Sequence, residues 1–298
     1  MNAVTENRIH VGIGTYVGGG VTVFPVWPEA PEVKNHCWKP GHLTIGEVEQ
    51  GARVDTLQIT NTGTRPHVIV EGDIFEGGWQ TRTAATTMVI ARGETVEVPV
   101  LCVEQGRWGG GREHVNRRTR RTPYGVRKRM YDTRAKRLGS GQGEVWDEIN
   151  KMQSSRGFNQ TGSLAFSLDE FVAPDGFDRE AQALNQAKLL PGQRGVMIGI
   201  GGQISACELF GSTDGLKQRF DAIIEAARFE AFEAPQRPTP NYRARDFATA
   251  ITRSTPFGET IVEPLEIATP VGPLALTSFT LAAGLVHAAI LNQQGMYV

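Results

Sequence analysis

The sequence lacks the features of membrane and secreted proteins. Its apolar runs fall short of the about 18 residues that a membrane-spanning helix needs, and its first thirty residues show no charged segment followed by an apolar one. Only three cysteines, Cys37, Cys102 and Cys207, occur in 298 residues, too few for a disulfide framework or a paired zinc motif. We therefore expect a cytoplasmic protein with reduced thiols and no membrane partner.

Net charge is also nearly absent, but it conceals a strong local imbalance. The segment from Arg107 to Arg137 carries twelve lysines and arginines and only two acidic residues, Glu113 and Asp132. Its charge of +10 is offset by −11 in the rest of the chain, because the net charge is −1. Such a distribution predicts one local positive surface rather than a general affinity for polyanions.

Glycine, in contrast, is abundant. The chain contains 35 glycines, whereas its hydrophobic and charged fractions, 40% and 21%, are those of ordinary globular proteins. This glycine content indicates many tight turns and hence a β-rich fold. The length is sufficient for one large domain or two modest lobes, and either can bury a hydrophobic core.

Short strands separated by turns dominate the first part of the chain. Between Val54 and Val103, alternating apolar runs end at glycine-containing turns, a pattern typical of an antiparallel β-sandwich. In the last run Val98 and Cys102 share one face, while Pro99 on the other face removes a ladder donor. We therefore predict a β-rich lobe over residues 1–106, whose last strand is an edge strand or carries a bulge.

Helical and strand patterns are mixed in the second part. A helical face begins at Glu144, and residues 196–210 form two strand-like runs around Gly201-Gly202, a pair suited to a two-residue hairpin turn. Ser212 can cap the helix that follows. Further patterns predict helices over 178–190 and 246–252 and strands over 260–267, 274–281 and 285–291.

Together these patterns predict an α+β fold, in which an N-terminal antiparallel β-sandwich-like lobe is packed with a C-terminal strand-and-helix lobe. The lobes span residues 1–106 and 143–298. Residues 107–142 are predicted to form a basic arginine-rich loop with one helical turn over 126–135. Long loops inside compact domains are usually functional or disordered.

One ordered set of motifs runs through most of the chain. These motifs are Val70-Glu71-Gly72, Gly78 to Arg82, Val98 to Trp108, Gln142 to Trp146, Glu208 to Ser212 and Leu285-Val286-His287. In them the sequence resembles the ARG and Rhodanese-Phosphatase-superfamily-associated protein family, a bacterial family without an established activity. That family is named for its genomic association with ADP-ribosylglycohydrolase and rhodanese-phosphatase proteins, so the resemblance implies nucleotide or ADP-ribose metabolism in a bacterial conflict or defence pathway.

The end of the strand before the basic segment combines residue types suited to ligand chemistry. Glu104 is a candidate general acid or base, Arg107 can clamp a phosphate through its planar guanidinium, and Trp108 can stack on a base. Alternatively, Glu104 pairs with Arg107 or Arg82, and Trp108 packs beneath the loop. The residues alone leave both interpretations open.

Polar and aromatic residues flank both ends of the basic segment, and we predict a cleft there. Gln80 and Arg82 alternate on one strand face, which either contacts an anion or faces solvent. The residues expected to bind a phosphate-bearing ligand, besides the catalytic candidate Glu104, are Gln80, Arg82, Gln105, Arg107, Trp108, Gln142 and Trp146.

The basic segment has two interpretations of its own. Clustered arginines near Tyr124, Tyr131 and Trp108 can neutralise phosphates and stack bases, which favours a nucleic acid or nucleotide partner. Otherwise the segment is a solvated loop or docks on an acidic partner or a second subunit, since no recognised nucleic-acid motif accompanies it. The candidate phosphate contacts are Arg117, Arg118, Arg120, Arg121, Arg127, Lys128 and Arg129.

Other reactive residue types have plainer explanations. Cys102 lies on the apolar face of its strand and is predicted to be a buried, inert thiol. His36, Cys37 and His42 lack a fourth ligand at a recognisable spacing, so we predict no metal site. His287 is explained as a hydrogen-bonded structural histidine. The sequence identifies no cofactor.

Three functional hypotheses follow. The first is a protein that binds a phosphate-bearing ligand, namely a nucleotide, ADP-ribose or nucleic acid. The second is an enzyme acting on a nucleotide or ADP-ribose derivative, with Glu104 as acid or base and Arg107 holding the phosphate. The third is a scaffold whose arginine-rich loop recruits a partner or builds a homo-oligomer.

Overall fold

The computed structural model describes residues 8–49, 51–115, 119–135, 141–157, 159–171 and 187–294. Within these ranges the fold is α+β, as predicted, and no helix there combines the length and apolarity needed to cross a membrane. The helices are α1 (Tyr124–Ala135), α2 (Gln142–Ser154), α3 (Leu164–Glu170), α4 (Thr213–Lys217), α5 (Phe220–Glu230) and α6 (Asn241–Ser254). The strands are β1 (Ile9–Val11), β2 (Thr15–Tyr16), β3 (Val21–Pro28), β4 (Leu43–Gly46), β5 (Thr56–Asn61), β6 (His67–Ile69), β7 (Ile74–Gly77), β8 (Arg82–Ala84), β9 (Met88–Ile90), β10 (Thr95–Cys102), β11 (Glu113–Val115), β12 (Gly195–Ile200), β13 (Gln203–Phe210), β14 (Ile261–Thr269), β15 (Gly272–Leu281) and β16 (Gly284–Asn292).

The chain divides into two compact units. One comprises residues 1–34 together with 172–298, and the other comprises residues 35–171. These boundaries differ from the predicted ones, which fell after residues 106 and 142. The cause is strand β3, which pairs antiparallel with β12 over six residues and so joins the N-terminal segment to the C-terminal sheet.

The first unit is built on an eight-stranded sheet with the order β1-β3-β12-β13-β16-β15-β14, in which β2 also pairs with β3. Strands β12 and β13 form the predicted hairpin, and Gly201 and Gly202 take the positive φ angles of 60° and 91° that its turn requires. Ser212 caps α4 as predicted, because its hydroxyl accepts a hydrogen bond from the Gly215 amide at 3.0 Å.

Helices cover this sheet and extend beyond the predicted limits. Helix α6 begins at Asn241 rather than at residue 246, and it buries Phe247 and Ile251 in a core shared with Phe24 and Met197. Helices α4 and α5 contact β3, β12 and β13. The helix predicted over 178–190 lies mainly outside the described residues.

The second unit contains a closed six-stranded barrel with the order β10-β5-β4-β11-β7-β8, and the predicted β-sandwich is not confirmed. Its apolar core includes Ile45, Ile59 and Ala84. Strand β10 closes the barrel because it pairs with β5 as far as Pro99 and with β8 from Val100 onward. The proline that suggested an edge or bulge therefore marks the point where β10 changes partner.

The predicted basic loop contains regular structure. Strand β11 and the twelve-residue helix α1 both lie within it, so the helix is far longer than the single turn expected. Arginine is a good helix former, although the segment lacks a continuous apolar stripe. Arg127 supplies part of the buried face, next to the apolar Val126 and Met130, because its charge is matched inside the unit.

Candidate ligand-binding site at one end of the barrel

Glu104, the predicted acid or base, is held by hydrogen bonds from several directions. The residue is 4% exposed, and its carboxylate accepts from the Thr81 amide at 2.9 Å, the Thr81 hydroxyl at 2.8 Å and the Thr161 hydroxyl at 2.7 Å. Burial alone would raise its pKa, but the bonds from Arg107, Thr161 and Thr81 outweigh burial and lower the pKa to about 2. A carboxylate held in this way stays ionised near neutral pH and does not suit proton transfer.

Arg107, the predicted phosphate clamp, uses every N–H of its guanidinium within the protein. Two bonds reach the Glu104 carboxylate, Nε to Oε1 at 2.9 Å and Nη2 to Oε2 at 2.6 Å. The others reach the carbonyl oxygens of Gly77, Gly78 and Gly109 at 3.1, 2.6 and 3.1 Å. The hydrogen bond to Glu104 raises the pKa of Arg107. This arginine therefore ties two loops to the end of β10 and has no donor left for a phosphate.

Arg82 presents the opposite case. It lies on the same face of β8 as the core residue Ala84, opposite Cys102 on β10, and is 0% exposed. Its Nη2 makes one long contact, 3.5 Å to the Arg53 carbonyl oxygen, whereas Nε and Nη1 are buried without a hydrogen-bond partner. Burial lowers the pKa of the guanidinium. Of the two alternatives for this strand face, the one in which it faces solvent is wrong for Arg82. A buried cation with two unused donors lies inside the barrel.

Trp108 covers Arg82 and is itself half-exposed. The Arg82 Cζ atom lies 5.9 Å from the centroid of the indole, a cation–π distance, and the indole meets Trp79 edge-on at 5.3 Å. The residue is 55% exposed. Gly109 and Gly110 follow it with φ angles of 145° and 134°, which residues with side chains rarely adopt. Trp108 is thus the solvent-facing part of the structure around Arg82.

A buried Glu47–His114 pair lies at the same end of the barrel. His114 Nε2 is 3.1 Å from Glu47 Oε1, which also accepts from the Trp79 amide at 3.0 Å. Burial lowers the pKa of His114, and the charge of Arg82 lowers it further, against the opposing effect of Glu47. We infer that this histidine is neutral. Glu47 Oε2 is buried without a hydrogen-bond partner.

Strand pairing explains why these side chains meet. Arg82 is the first residue of β8, Cys102 is the last of β10, and Glu47 follows the end of β4. His114 of β11 is paired with Ile45 of β4, whose side chain is part of the barrel core. The side chains of Arg82, Trp108, Glu47 and His114 are called the barrel-end cluster below. Glu47 and His114 are not among the residues predicted from the sequence, because each lies in or beside a strand too short to show a period.

The remaining residues of the predicted cleft serve the protein itself. The Gln142 side chain donates to the Cys102 carbonyl at 2.7 Å and accepts from the Cys102 amide at 2.8 Å. These two hydrogen bonds connect α2 to β10. Gln80 donates to the Glu104 carbonyl at 2.9 Å, although its Oε1 is buried without a partner. Exposed Gln105 accepts from Asn150 at 3.2 Å.

Cys102 is buried, as predicted. Its Sγ donates to the Glu104 carbonyl at 3.3 Å, and the Trp146 indole lies beside it. Burial raises the pKa of the thiol above its ordinary value. Trp146 is therefore packed against a neutral thiol inside the unit rather than placed in an open cleft.

Two arginines of the basic segment are fully paired inside the second unit. Arg127 is 0% exposed, and its Nε contacts both oxygens of Glu71 at 3.0 and 3.1 Å. Tyr131 donates to the same carboxylate at 2.7 Å. Arg121 pairs with Asp73 at 3.0 Å and is 1% exposed. Burial removes both arginines from any surface that a nucleic acid can reach.

Two further arginines of the basic segment are paired with acidic residues. Arg120 is bound by Glu76 and Asp169. Arg129 lies 3.2 Å from Glu148 and keeps 45% of its side chain exposed. The expected phosphate contacts through Arg120, Arg121 and Arg127 therefore do not fit the structure, because their charges are already neutralised.

Two other candidate phosphate contacts, Arg117 and Arg118, lie outside the described residues. Lys128 is partly buried on α1. In the part of the chain that the structure describes, most of the positive charge predicted for a nucleic-acid surface instead holds the second unit together.

Comparison with known proteins identifies a family. A family model for the ARG and Rhodanese-Phosphatase-superfamily-associated Protein domain matches residues 8–263, which covers most of the chain. Searches of curated proteins and of solved structures found no significant match.

Proposed function

We propose a function for this chain, which belongs to the ARG and Rhodanese-Phosphatase-superfamily-associated Protein family. The chain binds a small phosphate-bearing ligand, of the nucleotide or ADP-ribose class, at the barrel-end cluster. One observation carries the proposal. Arg82 is a buried guanidinium whose Nε and Nη1 donors have no partner. The ligand phosphate supplies the missing acceptors.

An unpaired buried donor is costly. Leaving one unsatisfied costs about 1–3 kcal/mol, and more when the group is charged. Buried polar groups without partners are rare and call for a specific explanation, such as a ligand. The planar guanidinium suits a phosphate because two of its N–H groups can bond two oxygens of one anion. Arg107, in contrast, has no N–H to offer.

The surroundings of Arg82 favour a ligand with more than a phosphate. Glu47 Oε2 is a buried acceptor without a partner, and a sugar hydroxyl is a donor that can satisfy it. The half-exposed indole of Trp108 offers a flat surface on which a base can stack. A phosphate, a hydroxyl and a planar ring occur together in nucleotides and in ADP-ribose.

The site supports binding better than catalysis by Glu104. That carboxylate is ionised and fully hydrogen-bonded, so it has neither a proton to give nor a free position to accept one. Binding of long nucleic acid through the basic segment is also disfavoured, because Arg120, Arg121 and Arg127 are buried in ion pairs.

The test uses the variant Arg82→Met, which keeps much of the side-chain volume and removes the unpaired donors. Replacing an unsatisfied buried charge by an apolar group is often neutral or stabilising, so we expect the variant to fold. Titration calorimetry with inorganic phosphate, AMP, ADP-ribose and a single-stranded oligonucleotide should show binding of AMP or ADP-ribose to the unaltered protein and none to Arg82→Met.

Arg92→Met is the matched control, since Arg92 is exposed on a turn of the same unit. It should bind as the unaltered protein does. Equal affinity of Arg82→Met and the unaltered protein would overturn the proposal, and so would binding of the oligonucleotide alone. A second measurement is mass spectrometry of small molecules released when the freshly purified protein is denatured.

A further inference from the structure

The first unit contains a separate cavity of about 300 Å³, where α6 begins beside β13 and the β14–β15 turn. Its lining includes Gln203 of β13, Tyr242, Arg243 and Asp246 of α6, and the apolar side chains of Phe247 and Val271. The volume is at the lower end of the range of small-molecule sites, about 300–1,000 Å³. The proposed phosphate site plays no part in this cavity, because every lining residue belongs to the other unit.

Two contacts fix the guanidinium of Arg243 in the cavity wall. Its Nη1 donates to Gln203 Oε1, and its guanidinium carbon lies 5.7 Å from the centroid of the Tyr242 ring. The cation–π contact and the hydrogen bond together fix the position of the guanidinium. Arg243 nevertheless has no carboxylate within ion-pair distance in the described part of the chain.

Asp246 lies three residues further along the same helix and lines the same cavity. Opposite charges at this spacing are neighbours on a helix surface and commonly pair. Here they do not, because Arg243 is drawn to Gln203 and Tyr242. The exposed side chain of Asp246 makes no hydrogen bond or ion pair with any residue of the described ranges. One cation and one anion therefore face the same small space without contacting each other.

We infer that this cavity binds a small zwitterion, a free α-amino acid. Its carboxylate bonds to Arg243, its ammonium group bonds to Asp246, and an apolar side chain contacts the partly buried Val271. The two charges favour a zwitterion over other classes, because a phosphate that bonds to Arg243 is repelled by Asp246 and a polyamine that bonds to Asp246 is repelled by Arg243. A ligand that carries both charged groups on one carbon atom satisfies the two residues at once.

Calorimetry with individual free amino acids tests the inference. We expect at least one amino acid with an apolar side chain to bind with a Kd below about 1 mM. The amine that lacks its carboxylate and the acid that lacks its amino group should each bind at least about tenfold more weakly. Binding of either analogue as tightly as the amino acid would contradict a zwitterion site, and so would the absence of binding by every amino acid at about 10 mM.

Charge-removing variants locate the site. Arg243→Gln and Asp246→Asn should each weaken binding at least about tenfold, with melting temperatures close to that of the unaltered protein because both residues are at the surface of the helix. Arg245→Gln is the matched control, since Arg245 is an exposed arginine of the same helix that does not line the cavity. Equal loss of affinity in Arg245→Gln would mean that binding occurs elsewhere.

Discussion

Glu104 and Arg107 face each other in a two-point ion pair, with Nε to Oε1 at 2.9 Å and Nη2 to Oε2 at 2.6 Å. Charge-assisted pairs of this geometry are among the stronger hydrogen bonds in proteins. Thr81 and Thr161 occupy the other acceptor positions of the carboxylate. The pair is therefore closed to ligands, and the residues that looked most reactive in the sequence fasten the barrel end on which Arg82 lies.

The depressed pKa of Glu104 predicts a specific loss of stability in acid. The folded-state pKa is about 2, against an ordinary value of 4.5, so the contribution is complete above pH 4.5 and is lost as pH falls towards 2. The shift corresponds to about 3 kcal/mol of unfolding free energy. Glu104→Gln should lower stability at neutral pH and flatten the decline between these pH values in urea titrations. Glu49→Gln, at an exposed position of the same unit, is the control in the same titrations.

Two arginines of helix α1 should differ in their contribution to stability, because only one of them is buried. Arg127→Met leaves the buried Glu71 carboxylate without its arginine, and breaking such a pair costs about 3–5 kcal/mol. Arg129→Met removes a half-exposed partner of Glu148 and should cost at most about 1 kcal/mol. Urea unfolding of both variants measures the difference. Similar losses from the two substitutions would contradict the role assigned to the buried pair.

Gly78 is expected to be intolerant of any side chain. A Cβ atom there would lie 1.9 Å from His114 Nε2, and the residue has a φ of 54°. Gly78→Ala must displace the Glu47–His114 pair and should cost at least about 2 kcal/mol. Gly111→Ala, whose Cβ would meet no atom within 4 Å, should change stability by less than about 1 kcal/mol. Thermal unfolding of the two variants compares them directly.

Trp108 should contribute to ligand affinity and little to folding. Because its indole is half-exposed over Arg82, Trp108→Ala should weaken nucleotide binding by about 1–3 kcal/mol. Its melting temperature should remain near that of the unaltered protein. Phe166→Ala removes an aromatic ring of similar exposure from the same unit and should leave affinity unchanged. A large fall in melting temperature for Trp108→Ala would instead assign the indole to packing.

Local sequence patterns determined the elements that are hydrogen-bonded within themselves or to a chain neighbour. The hairpin of residues 195–210, the cap at Ser212, helix α2 and the C-terminal strands follow from apolar periodicity and turn residues. These signals repeat over a few residues, so one sequence is enough to detect them. The mixed α+β class and the family also followed from the sequence.

Tertiary structure decided which distant segments meet. The joining of β3 to β12 and the closure of the barrel pair strands far apart in the chain, and periodicity carries no information about the partner. The same limit applied to the site. Whether an arginine is a surface charge, a buried ion pair like Arg127 with Glu71, or an unpaired donor like Arg82 depends on carboxylates and strand faces that folding alone brings into contact.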